Sequence, residues 1–245
     1  ELEKAISDYT GAEYAVATTS ATTSLYLSLY IMGIGPGDEV IVPSHTFIAT
    51  SNVILQVGAT PIFVDIDLQT YNIDPEKIEE KITAKTKAIM PVDQVGLPCA
   101  LDEISKIAKK HNLLILEDAA CALGASYHGK KIGGLSDMTV LSFHPRKAVT
   151  TGEGGMILTN NKEWADRARI LRHHGMGISD LVRHGSAKII HEKYIEVGFN
   201  FRMSDLQAAV GVEQMKKLDH ILGLRRKLAQ RYTKAFSDSK LIITP

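Results

Sequence analysis

Two adjacent acids follow an apolar segment near the middle of the chain. Residues 113–116 are all apolar, and Glu117 and Asp118 come directly after them. An acid at the carboxyl end of a buried strand is costly unless a cation meets it. The pattern therefore indicates a site in which a cationic group faces one of these carboxylates. The alternative is that the acid caps a helix formed by residues 119–122.

A lysine lies in a segment built for tight turns. Lys147 ends the run Ser-Phe-His-Pro-Arg-Lys, and Gly152, Gly154 and Gly155 follow shortly after it. Three glycines in four residues allow a sharp turn or a close backbone approach. A lysine held there is a candidate nucleophilic amine, because burial or a neighbouring cation releases its proton. The alternative is a flexible lysine on the surface.

Hydroxyl residues accumulate between the first predicted strand and the helix after it. Residues 18–24 read Thr-Thr-Ser-Ala-Thr-Thr-Ser. The free amides of a helix N-terminus together with hydroxyl groups make a seat for a phosphate. Ordinary capping of the helix is the alternative reading.

These three segments match the needs of one cofactor, pyridoxal 5'-phosphate. Its aldehyde forms a Schiff base with a lysine, and its phosphate binds at a helix N-terminus. Its pyridine nitrogen takes an acid, which keeps the nitrogen protonated so that the ring can accept electrons. A site with Lys147, Asp118 and residues 18–24 would supply all three.

The elements that position these side chains alternate between strand and helix. This alternation predicts βαβ units and a mostly parallel sheet covered on both faces, whose site lies at the carboxyl ends of the strands. Strands are predicted at 14–17, 39–42, 61–64, 87–90, 113–116, 138–141 and 156–159. Helices are predicted at 21–32, 46–56, 75–82, 101–111, 204–218 and 221–236.

Composition excludes several other classes of protein. The 245 residues carry 28 basic and 28 acidic side chains, so no general basic field is available for a nucleic acid. No apolar run is long enough for a membrane helix. Two cysteines cannot form a disulfide scaffold, so we expect a reducing compartment, the cytoplasm. No zinc or nucleoside-triphosphatase motif is present, and we expect no metal.

Several motifs, in this order along the chain, give a specific resemblance. The chain resembles the DegT/DnrJ/EryC1/StrS family of sugar aminotransferases, within the fold-type I pyridoxal-phosphate enzymes. The resemblance implies a three-layer α/β/α large domain with a mostly parallel mixed sheet. The motifs that carry it are GPGDEVIVP at 35–43, GATP at 58–61, EDAA at 117–120, SFHPRK at 142–147, GEGG at 152–155 and GFNFRM at 198–203.

The resemblance also implies roles at the cofactor. Lys147 would bond to the cofactor and then move the proton of the substrate carbon, and Asp118 would pair with the pyridine nitrogen. Phe47 would stack on the ring. The backbone at Ala21 and Thr22 would hold the phosphate.

Three further positions follow from the same resemblance. Ser142 would also bind the phosphate, and Asn200 would reach the phosphate of a neighbouring subunit, so that a homodimer shares its active sites. Cys121 would lie near the phenolic oxygen, where the family usually has glutamine or histidine. A thiol is a weak hydrogen-bonding group, so this contact is an open point. His144 and Arg146 occupy variable positions and are candidates for binding substrate.

The extent of the resemblance sets our expectation for domains. We expect residues 1–218 to form the cofactor-binding large domain and residues 219–245 to form a connecting helix. We also expect the N-terminal lead and the smaller C-terminal domain of such enzymes to be absent from this sequence.

The resemblance implies transfer of an amino group from glutamate to a nucleotide-linked keto-sugar, in amino-sugar or polysaccharide biosynthesis. Substrate contacts are expected partly in the loop 176–193. Two alternatives stay open. Related sugar dehydratases have histidine in place of the lysine, and Lys147 argues against that reaction. A truncated relative could instead act as a non-catalytic binding subunit.

Overall fold

A seven-stranded mixed sheet forms the centre of the structure, a computed structural model that describes residues 1–177, 193–242 and 244. The strands are β1 (Tyr14–Thr18), β2 (Glu39–Pro43), β3 (Thr60–Val64), β4 (Thr86–Ile89), β5 (Leu114–Asp118), β8 (Met138–Ser142) and β9 (Gly155–Thr159). Their order across the sheet is β1-β9-β8-β5-β4-β2-β3. A small hairpin of β6 (Ser126–Tyr127) and β7 (Lys130–Lys131) lies apart from the sheet.

Strand β9 gives the sheet its mixed character. It is antiparallel to both of its neighbours, β1 and β8, whereas β8, β5, β4, β2 and β3 pair parallel to one another. Because the central strands point the same way, β5 and β8 end at the same edge. The segments after these two strands therefore meet there, as the alternation of elements predicts.

Helices cover both faces and complete three layers. They are α1 (Leu2–Thr10), α2 (Ala21–Ile31), α3 (Ile48–Gln56), α4 (Leu101–His111), α5 (Lys162–Leu171), α6 (Asp205–Met215) and α7 (Leu218–Phe236). One buried cluster contains residues of α1 and α4, such as Ile6 and Ile104. A second contains residues of α2 and α5, such as Leu27 and Ala165. The predicted α/β/α architecture is thus confirmed.

One prediction about local structure is wrong, and one alternative reading is excluded. Residues 75–82 form two short 3-10 turns, Pro75–Lys77 and Glu79–Lys81, rather than one helix. Ile78 is fully buried and Ile82 packs against the same core cluster, but so short a segment cannot offset the cost of helix nucleation. Strand β5 continues through Glu117 and Asp118, and no helix follows over 119–122. Asp118 is therefore not a helix cap.

The C-terminal helix begins earlier than predicted. Helix α7 starts at Leu218, beside the expected domain boundary, and the division at 218/219 stays a prediction. Its apolar stripe of Leu224, Leu228 and Tyr232 is about half exposed or more. None of the helices in the described part of the chain is long and apolar enough to cross a membrane.

Candidate active site

The carboxyl group of Asp118 is buried at the edge of the sheet where β5 ends. It is the last residue of β5 and only 5% of its surface is exposed. Thr50 Oγ1 donates to Oδ2 at 2.9 Å, and the Ala120 amide donates to Oδ1 at 3.2 Å. Burial raises the pKa of Asp118, whereas these two hydrogen bonds and the charge of Lys147 act to lower it. Such a group is best accommodated when a cation comes to face it.

The backbone on both sides of Asp118 is also fixed. Its amide donates to Pro91 O at 2.9 Å, and its carbonyl accepts from the Asp93 amide at 3.1 Å. These bonds tie the end of β5 to the segment that leaves β4. The carboxyl group therefore projects from a backbone held by its neighbouring strand.

Lys147 lies in the turn that follows β8, as the glycine pattern indicates. Its amide donates to His144 O at 2.9 Å, which closes the turn. Its Nζ donates to Cys121 Sγ at 3.0 Å. Cys121 is thus brought to the site, where it contacts the amine itself. Lys147 is half-buried and acts electrostatically on Asp118, so it is not a free surface lysine.

The glycines after Lys147 do what their spacing predicts. Gly152 has a positive φ of 83° and turns the chain, and Gly155 begins β9 against the start of α2. A Cβ at Gly155 would lie 2.3 Å from Ser20 C and O, a distance that no side chain tolerates. Only glycine allows this strand to pack on the backbone of the helix N-terminus.

The start of α2 has both features that its hydroxyl-rich sequence indicates, a capped helix and a helix end that could bind a phosphate. Ser20 is the N-cap and forms a capping box with Thr23, so those hydroxyls serve the helix. Thr18 and Ser24 bond each other at 2.6 Å in the interior. The first amides of an α-helix have no partner within it, and here they belong to residues that line a cavity, Ala21 and Thr22. The end of the helix that attracts anions thus opens on the site.

One cavity of about 450 Å³ collects most of the predicted residues. Its lining includes Ala21, Thr22, Phe47, Asp118, Cys121, Ser142 and Lys147, together with His144 and Arg146. Phe47 stands at its edge with 71% of its surface exposed, so the ring is available to cover a ligand. Ser142 is buried at the end of β8.

Asn200 does not join this cavity. It is exposed, and it pairs through its backbone with His173. His173 packs beside Arg202 and His174, so the adjacent histidines are also outside the cavity. Of the loop 176–193 expected to contact substrate, residues 178–192 lie outside the described part of the chain.

The sequence did not reveal the residues that hold Asp118 in place. Thr50 binds Asp118 and is in turn bonded to Thr46 at 2.9 Å. Their spacing of four residues, one helical turn, was the available signal. Asp93, which also lines the cavity, was missed because it contacts Asp118 from the segment after β4, 25 residues earlier in the chain. Across the described residues, no group of three or more histidines, cysteines and acids could hold a metal ion.

The chemistry of the lining fits pyridoxal 5'-phosphate. A buried carboxylate suits a protonated pyridine nitrogen, a helix N-terminus suits a phosphate, and a half-buried amine suits an aldehyde. The three lie around one cavity, at Asp118, at Ala21 and Thr22, and at Lys147. The observation that favours this fit is the buried Asp118 carboxyl, which lines the cavity and forms no ion pair among the described residues.

Comparisons with known proteins agree with this geometry. The model of the DegT/DnrJ/EryC1/StrS aminotransferase family matches residues 1–245. GDP-perosamine synthase of Caulobacter vibrioides is 48% identical over 232 residues, which are 95% of this chain and 60% of that protein. Spore coat polysaccharide biosynthesis protein SpsC of Bacillus subtilis is 43% identical over 245 residues, 100% of this chain and 63% of that one.

The fold is also similar to that of a solved aminotransferase structure. The PLP-form of the putative sugar aminotransferase Spr1654 from Streptococcus pneumoniae superposes with a TM-score of 0.89 at 34% identity. The match covers 98% of this chain and 64% of that one. This chain thus spans 60% to 64% of the length of these three proteins.

Thr50→Val tests the support of Asp118. The change leaves a buried carboxylate oxygen without its donor, which raises the pKa of Asp118 further. We expect a loss of about 1–3 kcal/mol in the free energy of unfolding of the cofactor-free protein near pH 8. The loss should be smaller near pH 5. An acid whose pKa is raised on folding has its stabilising effect at low pH and loses it as the pH rises through the folded pKa.

Urea denaturation at the two pH values measures this difference. Thr50→Ser is the matched control, because it removes a methyl group and keeps the hydroxyl donor. Equal losses for Val and Ser at both pH values would show that position 50 contributes only packing.

Proposed function

Because the chain belongs to the DegT/DnrJ/EryC1/StrS aminotransferase family, we propose that it carries the cofactor site of a pyridoxal-phosphate-dependent sugar aminotransferase. The proposed reaction transfers an amino group from glutamate to a nucleotide-linked keto-sugar. One observation carries the proposal. Lys147 Nζ and the buried carboxyl of Asp118 face the cavity on which the N-terminus of α2 opens.

Each side chain has a defined task in this proposal. Pyridoxal phosphate, when bound, supplies a ring that accepts the electrons released at the substrate carbon. Asp118 holds the proton of the pyridine nitrogen through its buried carboxylate. The amides of Ala21 and Thr22 and the hydroxyl of Ser142 bind the phosphate, and Phe47 covers the ring. Cys121 lies beside the amine of Lys147 and would lie near the phenolic oxygen of the cofactor.

Lys147 is the proposed catalytic residue. Its amine would hold the cofactor through the aldehyde and, when free, would hold and move the proton of the substrate carbon. This task requires the lysine to alternate between bound and free states within the same cavity. The hydrogen bond from the Lys147 amide to His144 O closes the turn and keeps the side-chain amine at the cavity in both states.

The substrate class is proposed from the relatives and from charge at the cavity. GDP-perosamine synthase and SpsC are named for a nucleotide sugar product and for polysaccharide biosynthesis. His144 and Arg146 line the cavity, and the His144 ring is 3.8 Å from the Glu153 carboxylate. The exposed Arg146 is the better candidate for an anionic part of a substrate, because no ion pair with it is observed among the described residues.

The assembly and location belong to the same proposal. Asn200 is exposed and outside its own cavity, which suits a residue that completes the site of a neighbouring subunit. We therefore propose a homodimer, with residues 1–218 as the cofactor-binding domain and 219–245 as a connecting helix. Both cysteines are free thiols, which supports a cytoplasmic location.

The visible absorption spectrum tests the cofactor and the donor. Protein mixed with pyridoxal phosphate should show the band of lysine-bound cofactor, and L-glutamate should bleach it. Lys147→Ala should lack the band and lose roughly 10²–10⁴-fold or more in amino transfer, because both bonding and proton transfer are removed. Lys106→Ala, on the exposed side of α4, is the control and should keep both.

Each outcome separates one part of the proposal. A band that glutamate leaves unchanged would refute glutamate as the donor. A wild-type protein without any band would refute the cofactor. A deoxy-keto-sugar in place of an aminated sugar would identify the dehydratase reaction.

Mixed dimers test whether Asn200 acts across the interface. Lys147→Ala and Asn200→Ala should each be impaired when pure. In a mixed dimer, the chain that retains Lys147 receives an intact Asn200 from its partner, so one complete site forms. We expect activity to recover after unfolding and refolding the two variants together. If Asn200 served its own chain, the mixture would contain no complete site and no recovery would occur.

A further inference from the structure

Two buried acids, one lining the active-site cavity and one behind it, have no task in the proposed reaction. Glu117 lies within β5 and is fully buried, and Asp93 follows β4 with 1% of its surface exposed. Because neighbouring side chains of a strand point to opposite faces, Glu117 lies on the face of the sheet opposite to Asp118. Burying two acids is expensive, so their arrangement calls for a physical explanation.

Each acid has one well-bonded oxygen and one without a donor. Ser136 Oγ and Thr139 Oγ1 donate to Glu117 Oε2 at 3.0 and 2.8 Å. The Cys99 amide donates to Asp93 Oδ1 at 2.9 Å. Within the described residues, Glu117 Oε1 and Asp93 Oδ2 receive no hydrogen bond from a conventional donor. The two carboxyl groups lie close enough for each to influence the pKa of the other.

The charges around the pair offer no compensation. The charge that most affects the pKa of Glu117 is that of Asp93, and the charge that most affects the pKa of Asp93 is that of Asp118. Both of these charges are negative. The nearby Cys99 thiol donates to Val92 O at 3.0 Å, and burial keeps its pKa well above the usual range, so it is neutral. Lys147 acts on Asp118, on the other face of the strand.

We propose that Glu117 and Asp93 share a single proton between Oε1 and Oδ2, and that this acid–carboxylate pair positions Asp118. A proton at this place satisfies both oxygens that otherwise lack a donor. It also replaces the repulsion of two buried anions by a charge-assisted hydrogen bond, which is among the stronger hydrogen bonds in proteins. The pair then carries one negative charge rather than two.

The environment of each acid favours its un-ionised form. Burial and the charge of Asp93 raise the pKa of Glu117, and their mutual hydrogen bond raises it further. Burial also raises the pKa of Asp93, but its bonds from Cys99 and Glu117 act in the opposite direction. Both pKa values are raised, so the shared proton belongs to the pair as a unit.

The pair acts on Asp118 through the backbone. Asp93 donates its amide to the carbonyl of Asp118, and Pro91 accepts from the amide of Asp118. A bond between the side chains of Asp93 and Glu117 closes this connection on the other face of β5. Displacing Asp93 would thus displace the backbone from which the Asp118 carboxyl projects. The importance of that carboxyl for a cofactor rests on the proposed function, whereas the shared proton does not.

Infrared spectroscopy of the cofactor-free protein at neutral pH detects the proton directly. An un-ionised carboxyl group absorbs at a different frequency from a carboxylate. The spectrum of the wild type minus that of Glu117→Gln should therefore contain the band of one un-ionised carboxyl group. Asp93→Asn should remove the same band, because its amide donates to Glu117 and leaves it ionised. Glu103→Gln, on the exposed side of α4, is the control and should change nothing in this region. If neither variant removed a band, the shared proton would be refuted.

The pH dependence of unfolding gives a second test. An acid whose folded pKa is raised stabilises the protein below its unfolded pKa, and this effect is lost as the pH rises through the folded value. The unfolding midpoint of the wild type should therefore fall by about 5 °C more than that of Glu117→Gln between about pH 5.5 and about pH 8.5. Parallel pH profiles for wild type and Glu117→Gln would contradict the proposal.

Cofactor affinity tests the positioning role. In Glu117→Gln the amide still donates to Asp93, so the dissociation constant of pyridoxal phosphate should stay within about twofold of the wild type. Glu117→Leu leaves Asp93 unpaired and should weaken binding by about tenfold or more. Equal affinities of the Leu and Gln variants would refute positioning. Since the infrared and unfolding measurements use cofactor-free protein, they decide the shared proton even if the proposed function fails.

Discussion

The burial of one carboxylate, that of Asp118, is the constraint on which the rest of the site depends. Removing such a group from water costs several kcal/mol unless hydrogen bonds and an opposite charge compensate. Here a threonine hydroxyl and a backbone amide supply the hydrogen bonds, and the positive charge of Lys147 acts on it. The pKa of the acid is still raised. The protein thus holds a site in which a further cation would be bound favourably.

The topology of the sheet brings the other groups to this carboxylate. Strands β5 and β8 are parallel neighbours, so Asp118 and the turn that carries Lys147 leave the sheet at the same edge. The reversed strand β9 then runs back past the start of α2, where Gly155 allows contact between backbones. A single reversal of direction therefore places the lysine, the acid and the anion-attracting helix end around one cavity.

The sequence predicts the parts of this arrangement that depend on local pattern. The strands, the helix at 101–111, the turn with its glycines and the residues of the cavity follow from periodicity, spacing and resemblance. Residues 75–82 were wrongly predicted as a helix. Their N-cap and proline suit the start of a helix, but the segment buries too little apolar surface to stabilise one. Thr50 and Asp93 were missed because their contacts join residues far apart in the chain. The role of Asn200 depends on a second subunit and stays a prediction.

The state of the pyridine nitrogen tests the central claim most directly. Nuclear magnetic resonance of ¹⁵N-labelled pyridoxal phosphate bound to the protein reports whether this nitrogen carries a proton. We expect a protonated nitrogen in the wild type near pH 8 and an unprotonated one in Asp118→Asn, whose amide cannot stabilise the charge. An unprotonated nitrogen in the wild type, or a protonated one in the variant, would show that Asp118 does not serve this cofactor.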